Sequence, residues 1–489
     1  MTHRPLLSSV AALLFLVPGG LRAAAPAPAA GTPKPPTLTS SETPLAKLAP
    51  GAKANRPAIS PDANHIAFVG KAGPVTFQVI FDGKPQAAYE WVVPASLRFS
   101  PDSQHFAYIA QPDRRTMRAV LDGKDLKDHF SISPESLAFS PDSKRLAYVA
   151  APRQGEEVLV VDGQEVKAFP RIDAPVFGPD SVRVACRAER GGKQFMVVDA
   201  QEGKPYDKIP LAWPSFSPDG KHVAYAAVRD GRHVVVVDGV EGPEFDAVGP
   251  GRPMYSADSK RLAYAARRGD KAVVVVDGVE GKAYAAVGMP LFSPDSKRLL
   301  YMGTSDAGAA TRPAGMVPPP GARTLAIVID GKEAGTFDNG VAGEMIFSPD
   351  SQRLAVVIAT ARKRKVMVDG KMGPEYDATA DGSVRFSPDS AHYCYAALKG
   401  EVTHIVRDGV EGPPIEKIAS IPYYSPDSKR LAILARRGQG VFVVVDGAEG
   451  KPYDLFVAGG TLFWDSPTRL HALAARGPDI YRVQVDVAD

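Results

Sequence analysis

The feature that most constrains this chain is a phrase it keeps rewriting. "FSPDSKRLAYVA" occupies residues 139–150, and near-copies run over Phe99–Ala110, Phe216–Ala227, Tyr255–Ala266 and Phe292–Gly303. The Asp of that phrase recurs at Asp62, Asp102, Asp142, Asp180, Asp219, Asp258, Asp295, Asp350, Asp389 and Asp427. The intervals are 37 to 40 residues, apart from one of 55 between Asp295 and Asp350. A second phrase, "VVDG" and its variants, alternates with it and places Asp at 82, 122, 162, 199, 238, 277, 330, 369, 408 and 446. A degraded eleventh unit, "LFWDSPTRLHALAARGPDIYRVQVDV", closes the chain. A period of about 40 residues means one supersecondary unit stacked on copies of itself, as in a solenoid or a propeller. At 489 residues the chain is too long for one ordinary core, and repetition removes that limit.

Each unit divides into four short strands, a to d. In the seventh, strand a is "PLFS", the turn is Ser293-Pro294-Asp295-Ser296, and strand b is "RLLYM". Proline pre-sets its backbone angle for the second turn position, and Asp and Ser bond nearby backbone. The preceding unit shows strand c as "AVVVVD" at 272–277, and Asp277-Gly278 then supplies the positive backbone angles of a two-residue hairpin. Runs such as "VVVV" at 234–237 do not alternate with polar residues, so both faces of the sheet are buried. Propeller blades meet that demand because each packs between two neighbours around a ring. Strand d carries more charge, as in "GPEYD" at 373–377, which fits an outer, wetter edge.

The last unit stops at strand c, "IYRVQVDV". Residues 43–50, "TPLAKLAP", sit where the strand d of a preceding unit belongs. The chain start is therefore expected to complete the final blade and remove two open edges. The expected fold is an all-β propeller of about eleven four-stranded blades over residues 45–489. The repeat leaves two layouts open, one ring or two smaller propellers. No linker separates two sets of units, and the 55-residue interval comes from an insert at 303–322 inside one blade, between strands b and c; both facts favour one ring.

The repeated "FSPDSKRLAYVA" units resemble the TolB-type, WD40-like propeller repeats of exported bacterial proteins, and the resemblance covers residues 45–489. It implies the fold more strongly than any function. Proteins with this repeat include periplasmic members of the Tol system and the propeller halves of some serine peptidases.

The N-terminus reads as an export signal over residues 1–25: His3 and Arg4, an apolar run from Leu6 to Val17, then "AAAPAPAA" at 23–30. The run is shorter than the roughly 20 apolar residues of a membrane span. Residues 26–44, rich in Pro, Ala, Thr and Ser, read as a flexible leader. The expected location is periplasmic or secreted, with no transmembrane segment in the mature chain. Export permits disulfides, but the two cysteines are five repeats apart. Cys186 aligns with Tyr225 and Cys394 with Ala224, so they face opposite sides of their strands and are expected as buried free thiols.

Catalytic motifs are missing. "GTSDAG" at 303–308 lacks the spacing of a nucleophile elbow, which leaves Ser305 a loop residue. No H-E-x-x-H, C-x-x-C or calcium loop occurs. His65, His105, His222 and His392 hold the position that Arg145, Arg261, Arg298, Arg353 and Arg430 hold in other units, so they stand in for a cation at the start of strand b. Asp102, Asp142, Asp219, Asp295, Asp350, Asp389 and Asp427 read as turn formers. No cofactor is expected. The leading functional feature is one side of the ring, where b–c and d–a connections gather. The b–c loops carry Arg267, Arg268, Arg362, Lys363, Arg364, Lys365, Arg436 and Arg437, with Arg153, Arg190 and Arg229 in equivalent loops. Loops on a rigid scaffold are where binding concentrates. The reading is a non-catalytic exported scaffold that docks a macromolecule on this side: an acidic protein, a glycan or a lipid headgroup. With a net charge of only +3 and no aromatic platform between the basic residues, nucleic acid is not an expected partner. The alternative is an enzyme or small-ligand binder with its site in the central tunnel.

Overall fold

The computed structural model describes residues 35–48, 57–211, 213–249, 251–306, 323–338, 341–359, 363–457 and 461–489. The signal and the first part of the leader therefore lie outside the described residues. Eleven antiparallel sheets follow one another along the chain, each with four strands in the order a-b-c-d. They form one ring, an eleven-bladed β-propeller. Blade 1 starts at Ala58–Ile59 and ends at Lys84–Tyr89; blade 10 ends at Ala448–Tyr453. A 3-10 turn at Pro94–Ser96 is the only helical element among the described residues.

The two recurring phrases form the two turns of one side of each blade. In the a–b turn, the Ser hydroxyl donates to the Asp two residues on: Ser100 to Asp102 at 2.5 Å, Ser140 to Asp142 at 2.6 Å, Ser293 to Asp295 at 2.6 Å. These bonds are the main reason the carboxyls of Asp102, Asp142, Asp219, Asp295 and Asp427 are held below the usual carboxylate range. At Asp350 and Asp389 burial is the largest influence and opposes the charge, but the Ser bond together with the backbone N–H of Gln352 or Ala391 and the Ser of the next blade's turn outweighs it. The backbone N–H of the turn Asp then donates to the Ser hydroxyl of the next blade's turn, as in Asp102 to Ser143 and Asp142 to Ser181. Eight blade junctions carry this bond, at 2.9–3.1 Å. In the c–d turn the Asp adopts a positive φ of 45 to 52° and the following Gly one of 75 to 87° in nine of the ten units, the demand of a tight hairpin. One carboxylate oxygen accepts the first N–H of strand b, as Asp162 does from Leu146 at 3.1 Å. The other takes the Arg or His that opens the strand: Arg145 to Asp162 at 2.8 Å, His65 to Asp82 and His222 to Asp238 at 2.7 Å. Several of these arginines also lie over the next blade's aromatic ring, Arg145 on Phe177 and Arg353 on Phe386, a cation–π contact across the junction.

The hydrophobic core is distributed between blades. Ala147, Val149 and Leu159 of blade 3 pack with Cys186 and Val197 of blade 4, and Leu434 and Val443 of blade 10 pack with Leu470 and Val485 of blade 11. Both cysteines are free and buried.

The ring closes through the chain start, with different boundaries from those expected. The closing strand is Thr37–Lys47, paired antiparallel with Asp479–Ala488 from Thr37↔Ala488 to Lys47↔Asp479. Residues 37–44 thus belong to the sheet and not to a flexible leader, and the strand ends before residue 50. The insert boundary also shifts. Residues 303–306 continue strand b of blade 7, where Asp306 pairs with Arg323, so the excursion covers 307–322, outside the described residues.

Candidate functional site

The a–b and c–d turns occupy one side of the ring, so the b–c hairpins and the d–a connections occupy the other. The cations expected to form a free basic surface there are largely committed to acids of the same protein. Arg268 meets Glu280 at 2.7 Å and lies 4.8 Å from the Phe245 ring. Lys363 meets Asp377 at 2.8 Å, Arg364 meets Asp381 at 3.2 Å and Lys365 meets Glu375 at 2.8 Å. Arg437 forks onto Glu449 at 2.5 and 3.1 Å. Arg267 donates to the Ala285 carbonyl at 3.2 Å, across the junction between blades 6 and 7. Arg436 is half-buried, with Lys417 and Val441 as its strand neighbours. Arg362 lies outside the described residues. Arg153, Arg190 and Arg229 pair with Glu156, Glu202 and Glu241. Hydrogen bonds from Lys365, Lys363 and Arg190 accordingly hold Glu375, Asp377 and Glu202 below the usual carboxylate range. Most of these acids lie on strand d or just after it, with Glu156 at the start of strand c and Asp381 within the strand a region of blade 9, so this side alternates in charge.

A second set of residues locks the outer rim, and the sequence reading passed over it. Strand d ends in an aromatic or similar side chain that reaches the next blade's strand d. Tyr206 donates to Glu241 at 2.9 Å, Tyr376 to Glu411 at 3.0 Å and Tyr453 to Glu42 at 2.8 Å. Each Glu also holds a cation: Arg229, Lys399 or Arg476. The signal was present in the recurrence of "PEY", "KPY" and "VEG" around the c–d hairpins.

The d–a connections also expose apolar surface. Trp91, Phe130 and Trp213, exposed by 40, 53 and 52%, are the exposed Trp and Phe side chains among the described residues; Phe130 and Trp213 lie in d–a connections, and Trp91 opens the first strand of blade 2, paired with Gln111 near the b–c end of strand b. Phe130 follows strand d of blade 2 at the place where Asp207, Asp246 and Asp377 accept backbone N–H bonds from a b–c turn in other blades. Leu211 is exposed in the same kind of connection, Leu455 at the first strand of blade 11, and Met289 between the two segments that pair with strand b of blade 7. No group of three or more His, Cys, Asp or Glu side chains that could hold a metal occurs among the described residues. No helix among them is long and apolar enough to cross a membrane.

No family model matches the chain, and no curated protein does. Solved structures similar to it include TolB from Acinetobacter baumannii, 15% identical with a TM-score of 0.24 over 56% of this chain and 77% of that one. The β-propeller domain of the Trilobed protease from Pyrococcus furiosus is 13% identical with a TM-score of 0.30, over 59% and 97%. A structure from a study of two prolyl endopeptidases is 16% identical with a TM-score of 0.30, over 56% and 50%. Likenesses at this depth carry no argument about activity. The class is set by the chain's own sheets: an eleven-bladed β-propeller closed by its N-terminal strand, with a charge-paired face that carries exposed aromatics.

Proposed function

We propose that this protein is a non-catalytic scaffold of the TolB-like, exported kind, which binds another protein on the side formed by the b–c and d–a connections. The observation that carries the reading is the position of Trp91, Phe130 and Trp213. Large exposed aromatics on a rigid ring supply apolar contact area with few rotamers to freeze, the character of interface anchors. The paired cations around them suit a polar rim, where charges set register and association rate more than affinity. A free basic surface for an acidic ligand is the weaker form of the reading, because Arg268, Lys363, Arg364, Lys365 and Arg437 each already face a carboxylate.

The test is affinity capture from cell envelopes with three forms of the protein: unaltered, Trp91→Ala/Phe130→Ala/Trp213→Ala, and Lys144→Ala/Lys221→Ala/Lys297→Ala. The last set alters exposed lysines of the opposite side. The expected result is a specific partner lost only with the aromatic set. Identical partner sets for all three forms would sink the assignment of the face.

A further inference from the structure

Five blade junctions share one device on the outer rim. The residue that ends strand d, or that bridges strand c just beyond it in the case of Tyr206 and Tyr284, is a Tyr whose hydroxyl donates to a carboxylate on the next blade's strand d: Tyr89 to Asp125, Tyr206 to Glu241, Tyr284 to Glu333, Tyr376 to Glu411 and Tyr453 to Glu42, at 2.6–3.0 Å. Two other junctions place Phe there, Phe169 and Phe245, both buried. The junction between blades 2 and 3 places His129 there, at the end of Lys124–His129, and Glu165 of Gln164–Phe169 in the carboxylate position.

His129 is 3% exposed, and neither ring nitrogen has a hydrogen-bond partner. Its Nδ1 stands 3.8 Å from Glu165 Oε1, beyond hydrogen-bond reach. The surrounding groups leave no relief for a charge on the ring. Glu165 is already taken by Lys127 at 2.6 Å. Asp128, on the same strand, is forked onto Arg118. From blade 3, Tyr148 presents its ring edge-on at 6.0 Å; its hydroxyl is buried without a partner, and burial pushes its pKa up to about 12. Burial is the main reason the imidazole is pushed below its ordinary pKa of 6.5; Glu165 and Asp128 oppose the shift and Lys127 reinforces it. A proton added to this ring makes a second cation compete for one carboxylate in a site closed to water, and a buried charge without a full partner is costly.

We propose that the junction between blades 2 and 3 is an acid-sensitive latch: neutral His129 holds the two outer strands together, and its protonation loosens them. The sign follows from linkage. The unfolded or opened chain takes the proton more readily than the packed one. The junction's stability is therefore complete above the imidazole's ordinary pKa and falls as pH drops below it, by up to about tenfold in the opening equilibrium per pH unit. At the Tyr284–Glu333 junction the carboxylate is held by Lys282 and Tyr284, with no imidazole in the group, whereas at Tyr376–Glu411 His404 bonds the Gly412 carbonyl beside the acid. The proposal stands independently of partner binding, although Phe130 of the candidate face is the next residue.

The test is hydrogen exchange of the full chain at pH about 7.5 and about 5, corrected for the intrinsic rate, with variants His129→Tyr and His129→Phe. The first variant restores the Tyr found at five junctions, and the second copies Phe169 and Phe245. The expected result is several-fold loss of protection at acid pH in peptides 124–129 and 164–169, with peptides 279–284 and 332–337, from the Tyr284–Glu333 junction, unchanged. Both variants should abolish the acid response. Equal behaviour of all four wild-type peptides would overturn the latch without recourse to any variant, and an acid response that persists in His129→Phe would also overturn it.

Discussion

Glu42 and Tyr453 stand 411 residues apart in the chain and 2.8 Å apart in space, joined by a hydrogen bond from the phenol to the carboxylate. Glu42 also takes Arg476 at 3.1 and 3.2 Å. The N-terminal strand therefore supplies more than backbone pairing to the last blade. It brings in the acid that completes the same Tyr–Glu–cation group that Tyr376, Glu411 and Lys399 build within contiguous sequence. The seam of the ring is made chemically equivalent to an ordinary junction.

Replacing Glu42 should therefore weaken closure in particular. Glu42→Gln keeps the shape but removes the charge that Arg476 and Tyr453 stabilise; a loss of about 1–3 kcal/mol is expected for a charged hydrogen-bond group of this kind. The Arg476 bond, followed by the Tyr453 bond, holds the Glu42 carboxyl below 4.5. Its contribution is thus present above the ordinary Glu pKa and is lost as pH falls through the lowered value. Urea unfolding of both proteins, repeated between neutral and acid pH, should show the wild type losing its advantage over Glu42→Gln as the carboxylate protonates.

Removal of the whole closing strand is a stronger perturbation. Asp479–Ala488 would become an exposed edge with unpaired backbone groups, and Val483, Val485 and Val487, all buried in the closed blade, would lose part of their cover. Exposed edges pair with whatever strand they meet. A chain that begins at residue 48 should associate or aggregate, whereas a chain that begins at residue 35 should stay dispersed; size-exclusion chromatography with light scattering distinguishes the two.

Blade 4 departs from the turn rule in two places that compensate each other. Gly178 stands where other blades have the Ser that binds the turn Asp, and Gly220 stands where the next blade would offer a Ser. Asp180 instead turns toward Gly220. A Cβ on Gly220 would fall 2.5 Å from the Asp180 Cβ, at a backbone φ of +73°. Gly220→Ala should cost about 1–3 kcal/mol through strain and overlap, and Asp180→Gly in the same chain, which removes the Cβ, should recover the overlap part of it but not the strain of the positive φ. A double-mutant cycle by thermal unfolding measures that coupling. Ser143→Ala, at an ordinary junction, should cost about 1 kcal/mol, because Asp102 then has no acceptor for its N–H.

The blade count was legible because its causes are local. Ser-Pro-Asp and Asp-Gly shape their own turns within four residues, and apolar runs such as Val234–Val237 declare a sheet covered on both faces. The closing strand was only half legible. In "TLTSSETPLAK" Leu38 and Leu45 are the anchors, and the rest reads as polar because the strand is an outer edge whose partner lies more than 400 residues away. The candidate face was misjudged in its charge for a similar reason. Arg268 and Arg437 look unopposed along the sequence, and Glu280 and Glu449, each twelve residues on, meet them only once strand d folds back beside strand c. Trp91, Phe130 and Trp213 could not be separated from core aromatics by pattern, because the stretch from the end of strand d to the start of strand a follows no fixed period.

The two cysteines allow a test of packing in two separate parts of the ring. Cys186 belongs to the core between blades 3 and 4, Cys394 lies in strand b of blade 9, and both thiols are fully buried. Burial pushes each pKa up to about 12. Reactivity depends on the thiolate and on access, so neither should react with a thiol reagent at mildly alkaline pH while the ring is folded. Both should react at once in denaturant, and without prior reduction, since neither is bridged. The native reaction rate then reports opening: if Cys186 and Cys394 are labelled at different rates, distinguished by peptide mapping, blades open separately, and equal slow rates mean that the ring opens as one unit.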